Sequence, residues 1–326
     1  MAKRKLGNSG LEIAPLVFGG NVFGWTVKEP EAFSLLDRFI DAGFNLIDTA
    51  DAYSRWVPGN QGGESELLIG KWLHSKSAAE RANVLIATKV GWDMGEGQKG
   101  LAKQYIFRAV EASLRRLQTD YIDLYQAHKE DAEVAPEETL EAFDELMKSG
   151  KVRAIGASNF RPATLASALS TSGERGLPRY ECLQPLYNLY DRADFEGELE
   201  AVCRENQLGV ITYFSLGSGF LSGKYRSKQD LANRPRGMRV EKYLNPRGFR
   251  ILEALDEVAT EYGATQAQVS LAWLLARPTV TAPIASATTC EQLDELIGAT
   301  RLNLNAGVIG KLDQASSYSD EERQIA

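Results

Sequence analysis

Two spacings of apolar residues alternate along the chain. Short apolar runs, as expected of strands buried on both faces, are followed by segments in which apolar residues return every third or fourth position, the period of a helix with one buried face. The runs fall at 16–20, 45–47, 84–88, 121–127, 152–157, 181–183, 209–212 and 280–284. The helical segments fall at 31–42, 64–73, 105–117, 136–147, 163–168, 196–206 and 291–299. In the first of these Phe33, Leu36, Phe39 and Ile40 share a face and Gly43 stands where a C-cap belongs. Pro136 opens another, and Gly150 lies just past its end. Such alternation with short turns predicts parallel strands and right-handed crossovers, in a closed barrel or an open doubly wound sheet. Eight units favour closure as a (β/α)8 barrel.

Additions flank this rhythm. Gly7-Asn8-Ser9-Gly10 between two apolar pieces predicts an N-terminal β-hairpin that plugs one end of the barrel. Extra helices are expected near the C-terminus at 255–262 and 267–276, and a long loop at 223–247. No short repeat, low-complexity stretch or linker interrupts residues 1–326, which read as one domain.

Charge and cysteine content narrow the picture. A net charge of −7 leaves no global basic surface for nucleic acid or anionic lipid. Cys182, Cys203 and Cys290 form no pair at disulfide-framework or zinc spacing, so a reducing compartment and no metal are expected. The basic start, Met1-Ala2-Lys3-Arg4-Lys5, is followed by no apolar signal region, and no run approaches the roughly 18 apolar residues of a membrane span. The chain reads as a soluble cytoplasmic protein.

Candidate chemistry stands at the carboxyl ends of the runs. In order these ends are Gly20-Asn21, Asp48, Lys89, His128, Ser158-Asn159, Gln184, Tyr213 and Ala285-Ser286, and in a barrel they converge on one rim. Tyr53 follows Asp48 closely. A phenol is a poor acid at neutral pH unless a cation stabilises its phenolate, a task that suits Lys89, with Asp48 holding the ammonium. Tyr53, Lys89, Asp48 and His128 thus read as a proton-transfer device in which Tyr53 donates to a developing alkoxide and His128 bonds the same oxygen. Taken singly, Lys89 and Asp48 read equally as a structural ion pair and His128 as a core histidine. His74, at the end of a helical run, reads as a helix-terminal cation.

Ser158, Asn159 and Gln184 offer amide-reading donors and acceptors, and Tyr213 a flat ring beside them, a set that suits a nicotinamide. The alternative is that Ser158 or Asn159 caps the helix beginning near Arg161. From 223 to 247, Lys224, Arg226, Lys228, Arg234, Arg236, Arg239, Lys242 and Arg247 face only Asp230 and Glu241. That run is either solvated surface or an anion site, and it follows Leu216-Gly217-Ser218-Gly219, whose amides suit a pyrophosphate. A Gly-x-Gly-x-x-Gly fingerprint between a first strand and helix is absent, which disfavours a Rossmann site.

These residues resemble the aldo-keto reductase family, and specifically its bacterial branch related to potassium-channel β subunits. The resemblance rests on 43–53 (Gly-Phe-Asn-Leu-Ile-Asp-Thr-Ala-Asp-Ala-Tyr), 86–89, 120–128, 150–159, 184–188, 219–225 and 272–276, in order along nearly the whole chain. It implies a TIM barrel that reduces aldehydes or ketones with NADPH, with Asp48, Tyr53, Lys89 and His128 as catalytic tetrad. It further implies that Ser158, Asn159 and Gln184 hold the carboxamide, that Tyr213 stacks on nicotinamide, and that the segment from Leu216 through Gly217 and Gly219 to Lys224 passes along the pyrophosphate. After the eighth strand, Ser286 and Gln292 follow the family pattern. Thr288 instead stands where an arginine for the 2′-phosphate is common, and Leu296 where an asparagine is. A hydroxyl recognises phosphate less strongly than a guanidinium, so NADH also remains open unless the basic run supplies the charge. Phe214 brings a bulky ring to a turn that is usually small.

Trp25, Trp56 and Trp92, on loops after the first three strands, are candidates for an aromatic substrate pocket. The substrate class expected is a small carbonyl compound, sugar or polyol, the last two for the oxidative direction, and the oligomeric state is open. A second reading from another class is a nicotinamide-binding regulatory subunit with slow catalysis. A metal-dependent hydrolase finds no ligand set.

Overall fold

The computed structural model describes residues 2–95, 97–232 and 234–319. Strands β1 (Arg4–Lys5) and β2 (Glu12–Ile13) pair antiparallel as the expected hairpin. Eight strands follow: β3 (Val17–Gly19), β4 (Leu46–Asp48), β5 (Leu85–Val90), β6 (Ile122–Ala127), β7 (Val152–Ser158), β8 (Cys182–Gln184), β9 (Gly209–Thr212) and β10 (Ala282–Ala285). They pair in chain order, all parallel, and β10 closes on β3. The sheet is therefore a closed (β/α)8 TIM barrel, with the doubly wound alternative excluded.

Alternation along each strand builds two cores. Val17, Leu46, Ala87, Leu124, Cys182 and Ile211 fill the barrel, and Leu6 and Ile13 of the hairpin join the same cluster. A Cβ on Gly209, the first residue of β9, would lie 2.6 Å from Leu6, so the hairpin closes the amino-terminal end of the barrel. The intervening residues Phe18, Ile47, Ile86, Tyr125, Leu183 and Val210 face outward under the helices. Each large apolar side chain so buried contributes about 1.5–3 kcal/mol.

Helices Glu29–Asp41, Glu64–His74, Lys103–Leu117, Pro136–Lys148, Glu198–Glu205 and Cys290–Gly298 form where the helical spacing predicts them. His74 sits exposed in the last turn of its helix. Helix Pro162–Arg175 runs well past 168 and stops at Gly176, whose φ of +64° a glycine adopts readily. The stretch 223–247 is more than a loop: it contains turns of 3-10 helix at Lys228–Leu231 and Glu241–Tyr243 and a short helix Gly237–Val240. Helix Pro246–Tyr262 starts well before 255, with Asn245 accepting from the amide of Gly248 and Pro246 in the first turn. Gln266–Leu275 forms as expected, whereas Ala78–Ala82 and Ala306–Ala315 are helices that apolar spacing does not reveal. No described helix is long and apolar enough to cross a membrane.

Candidate active site

The inward period that fills the barrel carries straight on to its carboxyl rim. Two positions beyond Leu46 stands Asp48; beyond Ala87, Lys89; beyond Leu124, Gln126 and then His128; beyond Cys182, Gln184; beyond Ile211, Tyr213. The polar set is thus the uppermost layer of the barrel interior, where barrel active sites sit.

Its centre is a buried ion pair. The ammonium of Lys89 donates to both carboxylate oxygens of Asp48 and to the carbonyl of Thr49, each at 2.8 Å, and to the phenol oxygen of Tyr53 at 2.9 Å. Tyr53 in turn donates to Asp48 Oδ2 at 3.1 Å. Gln184 donates to Asp48 Oδ1 at 2.8 Å, and Gln126, which the sequence does not single out, adds a longer contact at 3.5 Å. A carboxylate buried on a barrel floor needs such partners, because an isolated buried charge is strongly disfavoured.

The pair tunes Tyr53 in the sense opposite to the sequence expectation. Burial, and then the adjacent Asp48 carboxylate, push the Tyr53 phenol well above its ordinary value despite Lys89. Burial pulls Lys89 down, with Asp48 opposing. Tyr53 therefore keeps its proton at neutral pH and stands as a donor, not as a phenolate.

The loop carrying Tyr53 is pinned to the loop after β3. Ser54 holds a left-handed φ of +69° and its hydroxyl donates to the Phe23 carbonyl at 2.6 Å. Asn60 donates to the carbonyls of Gly24 and Ser54 at 3.0 and 3.1 Å. These bonds set where the phenol points.

His128 is not hydrogen-bonded to Tyr53. Its ring lies 6.2 Å from the Tyr53 ring and 4.9 Å from that of Trp92, and its buried Nδ1 has no partner. Burial and the charges of Lys89 and Lys129 hold the imidazole well below its usual range, so it is neutral.

Ser158 and Asn159 do not cap the following helix, whose N-cap Arg161 makes no side-chain cap bond. Ser158 Oγ donates to the Gln184 carbonyl at 2.8 Å, Asn159 Nδ2 to the His128 carbonyl at 2.9 Å, and the Tyr213 hydroxyl to Asn159 Oδ1 at 2.6 Å. Asn159 itself stands at φ +54°. Ser158, Asn159, Gln184 and Tyr213 form one connected polar wall beside Asp48 and Tyr53.

Above them opens a cavity of about 1110 Å³. Asp48, Tyr53, His128, Asn21, Ser158, Asn159, Gln184, Tyr213, Leu216, Gly219, Lys224, Ser286, Thr288, Gln292, Trp56 and Trp92 all line it. Lys89, Gly20, Gly217 and Trp25 do not. Lys89 is covered by its own partners. Gly20 serves packing, since a Cβ there would come within 2.9 Å of Ser65 Oγ and 3.0 Å of the Asp48 carbonyl. Trp25 packs edge-on against Trp56, ring centroids 5.7 Å apart. Ser286 donates to Asn21 at 2.7 Å, and Thr288 is tied to Gln292 by its amide and hydroxyl at 3.0 and 2.9 Å. Phe214, Gly217, Ser218 and Gly219 all hold positive φ, a tight turn whose last glycine brings its backbone close to Lys224.

The basic run divides in two. Arg226 pairs with Asp256, Lys228 with Glu241 and Lys242 with Asp191, while Arg247 is buried between the rings of Tyr190 and Tyr318. Lys224, Arg234, Arg236 and Arg239 face the cavity, with no carboxylate among the described residues at ion-pair distance. On a net acidic chain, that concentration of unpaired cations suits a polyanion. Among the described residues no cluster of His, Cys, Asp or Glu could hold a metal.

The profile of the aldo/keto reductase family matches residues 15–317. The chain belongs to that family. It is similar to an uncharacterized oxidoreductase of Bacillus subtilis, YrpG, at 35% identity over 94% of both chains. It is also similar to Protein tas of Escherichia coli, at 30% identity over 96% of this chain and 97% of that one. A probable voltage-gated potassium channel subunit beta of rice is 31% identical over 90% of each chain. The family membership makes this protein an oxidoreductase, and nicotinamide cofactors are general in the family.

Proposed function

We propose that this enzyme reduces an aldehyde or ketone to the alcohol using NADPH, with Tyr53 as the acid. The observation that carries the reading is the Lys89 ammonium 2.9 Å from the Tyr53 oxygen, at the floor of a cavity large enough for a dinucleotide and a small substrate together. The residues present fit the cofactor. Ser158, Asn159 and Gln184 would hold a carboxamide, the Tyr213 ring would face the nicotinamide, and Lys224 and Arg234 with the turn from Leu216 to Gly219 would meet the phosphates. When bound, the reduced nicotinamide supplies the hydride accepted by the carbonyl carbon.

The chain's own residues supply the rest. Tyr53 turns its O–H from Asp48 to the carbonyl oxygen and donates its proton as that oxygen gains charge. Lys89 stays beside the phenolate left behind, which lowers the cost of forming it in a buried site. Asp48 holds the ammonium on three sides together with Thr49. Neutral His128 lines the same cavity, where its ring would hydrogen-bond the substrate oxygen. In reverse, the phenolate would take a proton from a sugar or polyol alcohol.

NADPH is preferred to NADH in this reading because Lys224 and Arg234 replace the arginine missing at Thr288. The test is titration of the purified protein with each cofactor, followed by cofactor fluorescence. Tighter NADPH binding that Arg234→Met abolishes is expected; equal binding of the two would assign the preference to Thr288, and binding of neither would overturn the function. The rice relative's name raises a regulatory reading, in which cofactor stays tightly held while turnover is very slow. Steady-state carbonyl reduction at ordinary enzyme rates separates the two.

A further inference from the structure

The cations facing the cavity are not all placed alike. The Arg239 guanidinium lies 5.6 Å from the Trp56 ring and 6.0 Å from the Phe214 ring, spanning from the loop after β4 to the turn after β9. Both rings border the acid: Trp56 stands edge-on to Tyr53 at 6.2 Å, and Phe214 packs on Tyr213 at 5.2 Å. Arg236 lies over Trp25 at 5.5 Å, and Trp25 touches Trp56, so two guanidinium groups sit on two touching indoles at the mouth above Tyr53.

Neither guanidinium has a hydrogen-bond acceptor or a carboxylate partner among the described residues. Nearby acids are spent elsewhere: Asp48 on Lys89, Asp93 on the Gly95 amide, Glu295 on Thr265, and Asp191 on Lys242 and Tyr243. Arg55, a third cation lining this end, donates to the Asp93 carbonyl at 2.8 Å. The two rings flank the Arg239 cation at 5.6 and 6.0 Å, and no described acceptor takes its N–H groups. Two like charges in each other's field, with no described carboxylate beside either, favour an anion near them.

We propose that Arg239, supported by Arg236, binds an anionic group of the substrate, so that the carbonyl compound reduced here carries a carboxylate or a phosphate on the side away from its C=O. This deepens the reading of carbonyl reduction and rests on it. Arg239 thereby sets specificity, with its cation held against the Trp56 and Phe214 rings.

The test compares two aldehydes of one shape, para-carboxybenzaldehyde, which is anionic, and para-nitrobenzaldehyde, which is not, with NADPH, wild type and Arg239→Met. In the variant the ratio of kcat/KM for the anionic over the neutral aldehyde is expected to fall about 10- to 100-fold, mostly through KM, the size of a lost charge-assisted hydrogen bond. Added salt should shrink the wild-type ratio, and the Kd for NADPH, read by fluorescence, should match between the two proteins. Benzoate and phenyl phosphate as inhibitors of the neutral reaction tell the two anions apart, the tighter naming the group; inhibition by neither counts against the proposal.

An unchanged ratio, or a loss of NADPH affinity equal to the loss of rate, would overturn it, the second by making Arg239 a cofactor cation. Turnover of the neutral aldehyde without any charge discrimination removes the anion role alone. Turnover of neither aldehyde by the wild type removes carbonyl reduction, and this proposal with it.

Discussion

The ammonium of Lys89 and the phenol of Tyr53 meet through a hydrogen bond of 2.9 Å, in which nitrogen donates and oxygen accepts. The same ammonium neutralises Asp48, and both side chains of that ion pair are 1% exposed. Structure and chemistry therefore share one cation.

Lys89→Met should consequently cost stability as well as rate. Removing one partner strands the Asp48 charge in the barrel, at about 3–5 kcal/mol. Denaturant unfolding measures it, and Lys89→Met with Asp48→Asn should unfold later than Lys89→Met alone. A single variant as stable as the wild type would show that Asp48 is not ionised there.

Carbonyl reduction should be level in pH across the neutral range. Because the Tyr53 phenol is raised, it stays protonated as pH increases, and the reductive rate falls only once pH exceeds the ordinary phenol value of about 10. Alcohol oxidation needs the phenolate and should rise with pH over the same window. A reductive rate falling with a midpoint near neutrality would contradict the assignment.

His128 gives the fold a slope at acid pH. Its folded value lies well below 6.5, so below that pH the unfolded chain binds a proton that the folded chain does not. Its stability contribution is complete above 6.5 and is lost as pH falls toward the folded value. The stability difference between His128→Gln and wild type should therefore shift by up to about 1.4 kcal/mol per pH unit in that window, in the variant's favour on acidification. A difference constant with pH would mean that His128 is charged in the fold.

Ser54→Ala tests how the acid is positioned. It removes the buried 2.6 Å bond to the Phe23 carbonyl and leaves that oxygen unsatisfied, at about 1–3 kcal/mol. With Tyr53 adjacent, kcat should fall while the cofactor Kd holds. Loss of stability with full kcat would show that the loop finds its place without this tether.

The rim residues are legible in the sequence because a barrel strand has a strict period of two: once Leu46, Ala87 and Cys182 are read as interior, Asp48, Lys89 and Gln184 follow on the same face. Gln126 obeys that rule and is hidden only by its place inside an apolar run. Helix starts such as Asn245-Pro246 and Ser77…Glu80 are written in capping residues and not in apolar spacing. The sense of the Tyr53 shift is not legible, since it depends on whether burial and Asp48 outweigh Lys89 at distances that no sequence contains. Nor is the division of the basic run: Arg226 and Arg239 look alike until one meets Asp256 and the other two aromatic rings.

Tyr53 as the proton donor is tested most directly by consumption of NADPH on adding an aldehyde, measured for the wild type and Tyr53→Phe at equal cofactor occupancy. The phenylalanine keeps the ring in place and loses only the O–H. Turnover should drop about 10²- to 10⁴-fold with the NADPH Kd unchanged. Turnover at the wild-type rate would show that Tyr53 is not the acid.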